Sequence, residues 1–288
     1  MQHAQVEASP IQPDVREHAA AAARRAAERA AVVVRTLETL SELDAGSELI
    51  ERIWDDGEPK APTSLLRALS HAGSFVAGAY NEHELIGVSF GFFGLEGPDV
   101  HLHSHITGVA PGFRSRSVGF ALKQFQRSWA LARGVRTIQW TADPLVRGNA
   151  YFNLVKLGAT IVAYHDDFYG PLRDRLNAGE QSDRVVMMWE LTSERSIRAA
   201  DRGLADPTLG RGTIILETGA DDEPTIPVDG NGETLHAWIP EDIVRLREDR
   251  PECAHAWRHA ARDTVGRSLA IGYRAEEITR DGWLVLTR

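Results

Sequence analysis

The chain has little cysteine and little lysine, and it lacks long apolar runs. Cys253 is the only cysteine among 288 residues. This excludes an internal disulfide and a cysteine-based metal cluster, and it favours a reducing cytoplasm. Lysine occurs only at Lys60, Lys123 and Lys156, so nearly all of the positive charge is on arginine. No apolar run approaches membrane-spanning length and no signal peptide is recognisable, so we expect a cytoplasmic protein without a membrane partner.

Composition and charge place the chain among ordinary globular proteins. It is 43% hydrophobic and 25% charged, which excludes disordered and fibrous classes. The formal net charge of −9 gives no general attraction to polyanions. A nucleic-acid partner would need a basic patch that works against this field, and we expect none.

The pattern along the chain divides it into three parts. Residues 1–31 form a polar tail and an Ala/Arg-rich helix from about Val15 to Ala31. We interpret this helix as a surface or dimer-contact helix, so a homodimer is one of the possible assemblies. Residues 32–195 alternate short strands and helices and form the core. Residues 196–288 form a linker to about Gly232, with one strand at 213–216, and then a small α+β extension.

The core pattern predicts a mixed sheet flanked by helices, an α/β or α+β architecture. Strands are predicted at 32–37, 74–80, 84–93, 100–109, 137–141, 160–168 and 184–191. Helices are predicted at 41–54, at 63–71 behind an N-cap at Thr63, at 117–132, and at 149–157 before Gly158. In the extension we predict strands at 235–239, 271–273 and 283–286 and a helical region at 240–265.

The most specific segment runs from Val109 to Ala121, VAPGFRSRSVGFA. It joins a strand end, a loop with two arginines and the start of an amphipathic helix. The unpaired N–H groups of a helix start suit a pyrophosphate, and Arg114 and Arg116 can add charge-assisted hydrogen bonds. Gly119 and Ala121 lack bulk where phosphates would approach the backbone. By itself, a glycine in a first helical turn is equally well explained by close helix packing.

In context, this segment resembles the acyl-CoA signature of the GNAT acyltransferase superfamily. The matching residues are Arg116-x-x-Gly119-x-Ala121, preceded by Val109-x-Pro111 and a strand, and the segment 149–159 is similar to a second conserved region. The resemblance implies the GNAT fold, with a twisted, mostly antiparallel sheet, and acetyl-CoA or another acyl-CoA as co-substrate without a metal.

The resemblance also implies cofactor-binding positions. A bulged fourth strand would splay from the fifth and pair with the pantetheine arm through Thr107 and Val109, with the Val109 N–H facing the thioester carbonyl. Further cofactor contacts are expected from Arg114, Arg116, Ser117, Val118, Gly119, Phe120, Ala121, Asn149 and Asn153.

Three histidines alternate along the fourth predicted strand, at His101, His103 and His105, and the pleat puts them on one face. They are read as hydrogen-bonded structural residues, as metal ligands, or as proton acceptors. The outer two lie about 13 Å apart by strand rise, so a metal would need a ligand from elsewhere. His105 lies eleven residues before Arg116. The resemblance implies the general base at this spacing, with His103 as partner or substitute.

The resemblance implies a tyrosine as general acid where this chain has Leu154. Tyr151, one turn earlier, is the substitute, unless it belongs to the core and water protonates the thiolate. For the acceptor we predict contacts from Arg147, Tyr169 and Asn177. An arginine beside amides suggests a carboxylate in the acceptor or in a succinyl-type acyl group, while helix capping by Asn149 and a solvated Arg147 are the structural alternative.

The sequence therefore predicts an acyl-CoA-dependent N-acyltransferase that passes an acyl group to a small amine, such as an amino acid, by direct attack. The alternatives are an acyl-CoA sensor or interaction module without catalysis, supported by the missing tyrosine, and a protein N-acetyltransferase. Asp143-Pro144, Phe168-Tyr169-Gly170 and Trp257-Arg258 in the C-terminal part also resemble a long GNAT branch. That branch includes enzymes that handle N-acylated amino acids and N-succinylation, so the resemblance implies the N-acyltransferase function with an amino acid as acceptor.

Overall fold

The structure, a computed structural model, describes residues 11–54, 60–97, 99–170, 181–227 and 230–288. Its strands are β1 Val33–Thr36, β2 Phe75–Asn81, β3 Glu84–Glu96, β4 Asp99–Val109, β5 Thr137–Ala142, β6 Thr160–His165, β7 Arg184–Glu190, β8 Thr213–Thr218, β9 Pro224–Thr225, β10 Thr234–Trp238, β11 Arg274–Ile278 and β12 Trp283–Thr287. Its α-helices are α1 Pro13–Ala30, α2 Leu40–Trp54, α3 Thr63–His71, α4 Val118–Ala132, α5 Arg147–Tyr151, α6 Glu194–Arg202, α7 Ile243–Asp249, α8 Pro251–Ala261 and α9 Arg267–Ala270.

The described strands form one mixed sheet in the order β1-β2-β3-β4-β5-β7-β6-β11-β12-β10-β8-β9. Its pairs are antiparallel except for β4 with β5 and β10 with β8, which are parallel. Helices cover the sheet, and α1 packs beside α4. The predicted architecture, a mostly antiparallel mixed sheet flanked by helices, is confirmed.

Strand β4 contains a β-bulge and pairs with β5 over only a short stretch. Gly91 of β3 lies opposite Ser104 and Phe90 lies opposite Ile106, so His105 is the extra residue of a β-bulge. On the other side, β4 pairs with β5 only at Leu102 and His103. Beyond this point the two parallel strands diverge, because the bulge bends β4 away. Both features are those that the resemblance implied.

The two faces of the sheet carry different cores. One face holds α2 and α3, with Leu43, Leu49 and Leu66 packed on Phe90. The other face holds α4, whose Leu122 contributes to a separate cluster.

The predicted surface helix is partly a packing helix. Five alanines of α1 are buried, namely Ala19, Ala22, Ala23, Ala26 and Ala30, since small side chains let α1 approach α4 closely. Among the described residues, no helix has both the length and the apolar character that crossing a membrane requires.

Several local predictions are wrong. Helix α6 lies in the predicted linker, where the side chain of Ser193 accepts a hydrogen bond from the N–H of Ser196 as its N-cap. Thr63 is inside α3 and does not cap it, since Pro62 occupies the N-cap position. The segment 271–273 is a turn with Gly272 at φ 102°, and the strand follows it.

The helix predicted from residue 149 begins earlier and changes its winding. It starts at Arg147, becomes a π-helix at Phe152–Leu157 and ends at Gly158, whose φ of 76° is the left-handed conformation expected of a glycine stop.

The C-terminal extension continues the sheet of the core. Strand β11 lies against β6, with Ala275 opposite Ile161, and joins β12, β10 and β8 to the same sheet. The carboxylate of Asp143, at the end of β5, accepts a hydrogen bond from Arg247 of α7 at 2.7 Å. The division of the chain near residue 195 stays a prediction, while the two parts share one sheet.

Candidate active-site cleft

A cleft of about 1030 Å³ opens where β4 and β5 diverge. Its walls come from β4, β5, the start of α4, and the helix that begins at Arg147. The predicted residues that line it are His105, Thr107, Val109, Arg114, Ser117, Val118, Gly119, Phe120, Asn149 and Asn153. The fold therefore brings together residues that are far apart in the chain, and their roles remain predictions.

Helix α4 begins at this cleft without a side-chain cap. Its N-cap, Ser117, has φ 63° and its side chain makes no capping hydrogen bond. The first intrahelical bond is the one that the N–H of Ala121 donates to the Ser117 carbonyl at 3.0 Å. The N–H groups of Val118, Gly119 and Phe120 precede that bond, so they are the donors a helix start offers to an anion.

The arginines of the loop before α4 do not share one environment. Arg114 lines the cleft. Arg116, predicted to contact the cofactor, lies outside the lining, with its guanidinium 5.2 Å from the centre of the Phe113 ring. Ser115, between the two arginines, and Ser117, after the second, both have left-handed backbone with φ of 65° and 63°. Ala121, also predicted as a cofactor contact, is buried in the core. Of the two arginines, Arg114 is therefore the one placed to contact a ligand in the cleft.

The free edge of β4 faces the cleft beyond the bulge. The N–H of Ala110 donates to the carbonyl of Ile86 at 2.8 Å, so residue 110 points its backbone groups at β3. Antiparallel pairing alternates along a strand, and therefore Thr107 and Val109 point theirs toward the cleft. The side chain of Val109 approaches Gly119 of α4, since an added Cβ there would lie 3.8 Å from Cγ2 of Val109. Val109 thus lies beside the start of α4, and Thr107 lies deeper in the cleft, nearer the bulge.

His105 and His103 lie together at the bulge, with ring centres 5.8 Å apart. His105 lines the cleft and its ring contacts Phe90 and Phe92 on the α2 face of the sheet. Desolvation lowers the pKa of His105 below its usual 6.5. Desolvation, and then the nearby His105, His101 and Lys123, lower the pKa of His103 to about 4. Both rings are therefore neutral at pH 7, which a proton acceptor requires.

The fold gives no support to the interpretation of the histidines as metal ligands. Within the described ranges, no three His, Cys, Asp or Glu side chains are grouped so that they could hold a metal ion.

Lys123 is a cleft residue that the sequence analysis missed. Its side chain is 4% exposed, and its Nζ donates to Ser104 Oγ at 3.0 Å and to Gln126 Oε1 at 3.1 Å. Nζ also lies 3.9 Å from the centre of the Trp140 ring. The only available signal was the rarity of lysine in this chain.

The cleft is positively charged although the protein is acidic. Its described lining includes the cations Arg29, Arg114, Lys123, Lys156 and Arg202, and it includes no aspartate or glutamate. Arg202 comes from α6, the helix that the sequence analysis missed. A cleft with one sign of charge concentrates ligands of the opposite sign. The arrangement is suited to a polyanionic ligand.

Asn149 and Asn153 support each other on one wall. The amide of Asn153 donates to Oδ1 of Asn149 at 3.2 Å, one helical turn away. Asn149 lies inside the helix, whose N-cap is Val146, so the capping alternative for Asn149 is wrong.

Three further predicted residues have other contacts. Arg147 donates to the Ile239 carbonyl at 2.9 Å and stacks on Trp238, and it does not line the cleft. Tyr151 donates its hydroxyl to Asp206, and burial followed by that contact raises its pKa. The Tyr169 hydroxyl lies 3.0 Å from Oγ1 of Thr141, a cleft residue, so Tyr169 borders the site. Asn177 lies outside the described residues. The substrate role of Arg147 and the acid role of Tyr151 are thus not supported.

Comparisons with known proteins give structural likeness only. No model of a known protein family and no curated protein matches the chain. A GNAT-family acetyltransferase from Streptococcus pneumoniae is 12% identical over 55% of this chain and 98% of its own, with a TM-score of 0.46.

Two further solved structures show likeness of the same degree. The ribosomal-protein-S18-alanine N-acetyltransferase from Escherichia coli is 15% identical over 56% and 95%, with a TM-score of 0.46. An aminoglycoside 6'-acetyltransferase type Ii is 16% identical over 55% and 97%, with a TM-score of 0.45. Likeness at this level does not assign an activity to the chain.

Proposed function

We propose that this chain is an acyl-CoA-dependent N-acyltransferase of the GNAT type. The observation that supports this best is a free strand edge at Thr107 and Val109 that leads to the uncapped start of α4 in a cleft lined by cations. An acyl-CoA has the matching parts, an amide-bearing arm that can pair with a strand edge and a diphosphate that a helix start can bind.

The positions within the cleft follow from these parts. The diphosphate is placed at the N–H groups of Val118, Gly119 and Phe120, with Arg114 beside it. The arm then runs along β4 from Val109 toward the bulge. This direction favours the N–H of Thr107 for the thioester carbonyl, because Val109 lies at the diphosphate end.

Attack on the thioester needs an amine that has lost its proton. His105 is placed at the bulge on the α2 face, beyond Thr107, where the acyl group would emerge. Direct attack is favoured because Cys253 is buried in α8, away from the cleft, and the described lining holds no other thiol.

The His105→Gln variant is expected to lower kcat by about 100-fold at pH 7.5 while the acyl-CoA Kd stays within threefold. The wild-type rate should fall as the pH falls through a value below 6.5, because the lowered pKa of His105 keeps the ring neutral down to that value. The measurement is a pH profile of kcat/KM for both proteins. A variant with the wild-type profile would exclude His105 as the base.

The Arg114→Ala variant is expected to weaken CoA binding about tenfold, the cost of one charge-assisted phosphate contact. Arg116→Ala serves as the matched control and should change the Kd less than twofold, since Arg116 does not line the cleft and its guanidinium packs on the Phe113 ring. Isothermal titration calorimetry measures both. Equal losses in the two variants would restore the sequence-based prediction that both arginines contact the cofactor, and a larger loss in Arg116→Ala would contradict the preference for Arg114.

The proposed function is tested by release of the CoA thiol. Acetyl-CoA and succinyl-CoA are offered with D- and L-amino acids, other small amines and a peptide with a free N-terminus. Amine-dependent thiol release with amide formation supports the proposal and identifies the acceptor class. Tight CoA binding without release under any amine would instead support the non-catalytic sensor, and absence of CoA binding would overturn the proposal.

The finer substrate is proposed to be a small amine such as an amino acid. Tyr169, whose hydroxyl lies 3.0 Å from Oγ1 of the cleft residue Thr141, is the described residue proposed to contact it. The carboxylate contact predicted for Arg147 is withdrawn from this proposal, because its guanidinium binds the Ile239 carbonyl.

A further inference from the structure

Lys123 occupies the point at which the two strands of the cleft separate. It reaches from α4 to Ser104 of β4 and to Trp140 of β5. The last bonded positions of these strands are His103 and Gln139, so Ser104 and Trp140 are the first residues beyond them. The amino group of Lys123 therefore lies at the closed end of the cleft.

The surroundings of this amino group contain no described counter-charge. Its partners are a hydroxyl, an amide oxygen and an aromatic ring, all neutral. Burying a cation without a carboxylate destabilises the folded state, and methionine would fill the same space without that cost. A cationic group in such a place is well suited to an anion that forms there during a reaction.

We propose that Lys123 donates the proton that the CoA thiolate takes up as it leaves. This inference rests on the proposed function. The chain has Leu154 at the position where the family resemblance implies a tyrosine acid, and the hydroxyl of Tyr151 donates to Asp206. Lys123 would supply the proton in their place.

The direction of the cofactor brings the sulfur to this end. With the diphosphate at Val118–Phe120, the arm passes Val109 and Thr107 and ends near the bulge. The four residue steps from Val109 to His105 span roughly 13 Å along a strand, so an extended arm that starts at the diphosphate carries its thioester past Val109 to the part of β4 between Thr107 and the bulge. The thioester then lies between His105 and Lys123.

The two groups approach the thioester from opposite faces of the sheet. Ser104 points to the α4 face, because its hydroxyl accepts the hydrogen bond from Lys123 of α4. His105 is on the α2 face with Phe90, and Lys123 is on the α4 face. A base for the incoming amine and an acid for the leaving thiol are thus separated.

In the proposed step, the amine nitrogen bonds to the thioester carbon, and its surplus proton passes to His105. The carbon–sulfur bond breaks with its electron pair on sulfur, and a proton from Nζ of Lys123 converts the thiolate to a thiol. Lys123 is left as a neutral amine and regains a proton from water, while the proton on His105 is released.

The acidity of the group is consistent with this role. Burial lowers the pKa of Lys123 to about 7, so it can give up a proton near neutral pH. The ionisable groups that share the cleft with it are His105 of β4, Arg114 of the loop, Lys156 of the π-helix, Arg29 of α1 and Arg202 of α6. His103 of β4 is also close enough to interact with it electrostatically. Both histidines are neutral at pH 7, and a bound diphosphate would favour the positive charge on Lys123.

The test compares Lys123→Met and Lys123→Gln with the wild type. Both variants lack a transferable proton, and glutamine keeps a polar group near Ser104. We expect kcat to fall at least about 100-fold, the usual contribution of general acid catalysis, with acyl-CoA Kd within threefold. Lys60→Met is the matched control outside the cleft and should keep the wild-type kcat.

Chemical rescue separates proton donation from charge. In Lys123→Ala, trimethylammonium can enter the vacated space and donate a proton, and it forms no stable amide. Tetramethylammonium carries the same charge without a proton. We expect rescue by the first only.

Three outcomes would overturn the inference. They are wild-type kcat in both the methionine and glutamine variants, a loss confined to acyl-CoA affinity, and equal rescue by the two ammonium ions. Failure of the proposed function is distinct, because the wild type itself would then release no thiol with any amine.

Discussion

The Gly119→Trp variant is expected to lose acyl-CoA binding by more than 100-fold while its fold stays intact. A Cβ at this position would meet only Cγ2 of Val109, at an ordinary 3.8 Å, and the backbone is not left-handed. The larger side chain would therefore extend into the cleft between the start of α4 and the edge of β4, where the diphosphate is placed. A 100-fold loss corresponds to about 2.8 kcal/mol.

Calorimetric titration of acetyl-CoA into the folded variant measures this loss. Gly210→Trp is the matched control, because Gly210 is exposed, has no neighbour within 4 Å for an added Cβ and is not part of the cleft lining. Its Kd should equal that of the wild type. Unchanged affinity in a folded Gly119→Trp protein would place the cofactor elsewhere and remove the main support for the proposed function.

The Asp143→Ala variant is expected to lose about 3–5 kcal/mol of unfolding free energy, the usual cost of removing one partner of a buried ion pair. The Asp143 side chain is 7% exposed and accepts from Arg247 at 2.7 Å. Arg184 and Arg258 approach the same oxygen at 3.8 Å. Removing the carboxylate leaves these buried cations close together without their shared counter-charge.

Urea unfolding followed by tryptophan fluorescence measures this change. Asp249→Ala is the control, since Asp249 forms an exposed pair with Arg245 and should cost less than about 1 kcal/mol. Because Asp143 joins β5 to α7 and α8, we also expect one unfolding transition for core and extension together. A separate, unaffected transition for the core would show that the extension is an independent unit. A loss below 1 kcal/mol would contradict the role given to Asp143.

Elements with a strong local signal could be predicted from the sequence. Helix α4 shows large apolar residues at helical spacing, and Gly158 stops the following helix as its type suggests. Helix α6 was missed because its buried residues are small, namely Ser196, Ala199 and Ala200, and small residues leave no apolar stripe in the sequence. For the same reason α1 was read as a surface helix.

The candidate site could be located from the sequence, but the sequence could not show which of the nearby residues line it. Arg114 and Arg116 are the same residue type two positions apart, and only the folded loop, with a left-handed Ser115 between them, shows that Arg114 lines the cleft and Arg116 packs on Phe113. The two asparagines after Arg147 predict a substrate contact for it, whereas its guanidinium donates to the carbonyl of Ile239, the residue that follows β10. That partner lies in a distant part of the chain.

Local periodicity is enough to predict the layered fold, the strand that ends at a helix start, and the histidines on that strand, because these features depend on neighbouring residues. The burial of Lys123 at the closed end of the cleft, the approach of Arg29 and Arg202 to the cleft, and the joining of the extension to the same sheet are visible only in the folded protein. Burial and charge depend on contacts between segments far apart in the chain, which the local pattern does not contain.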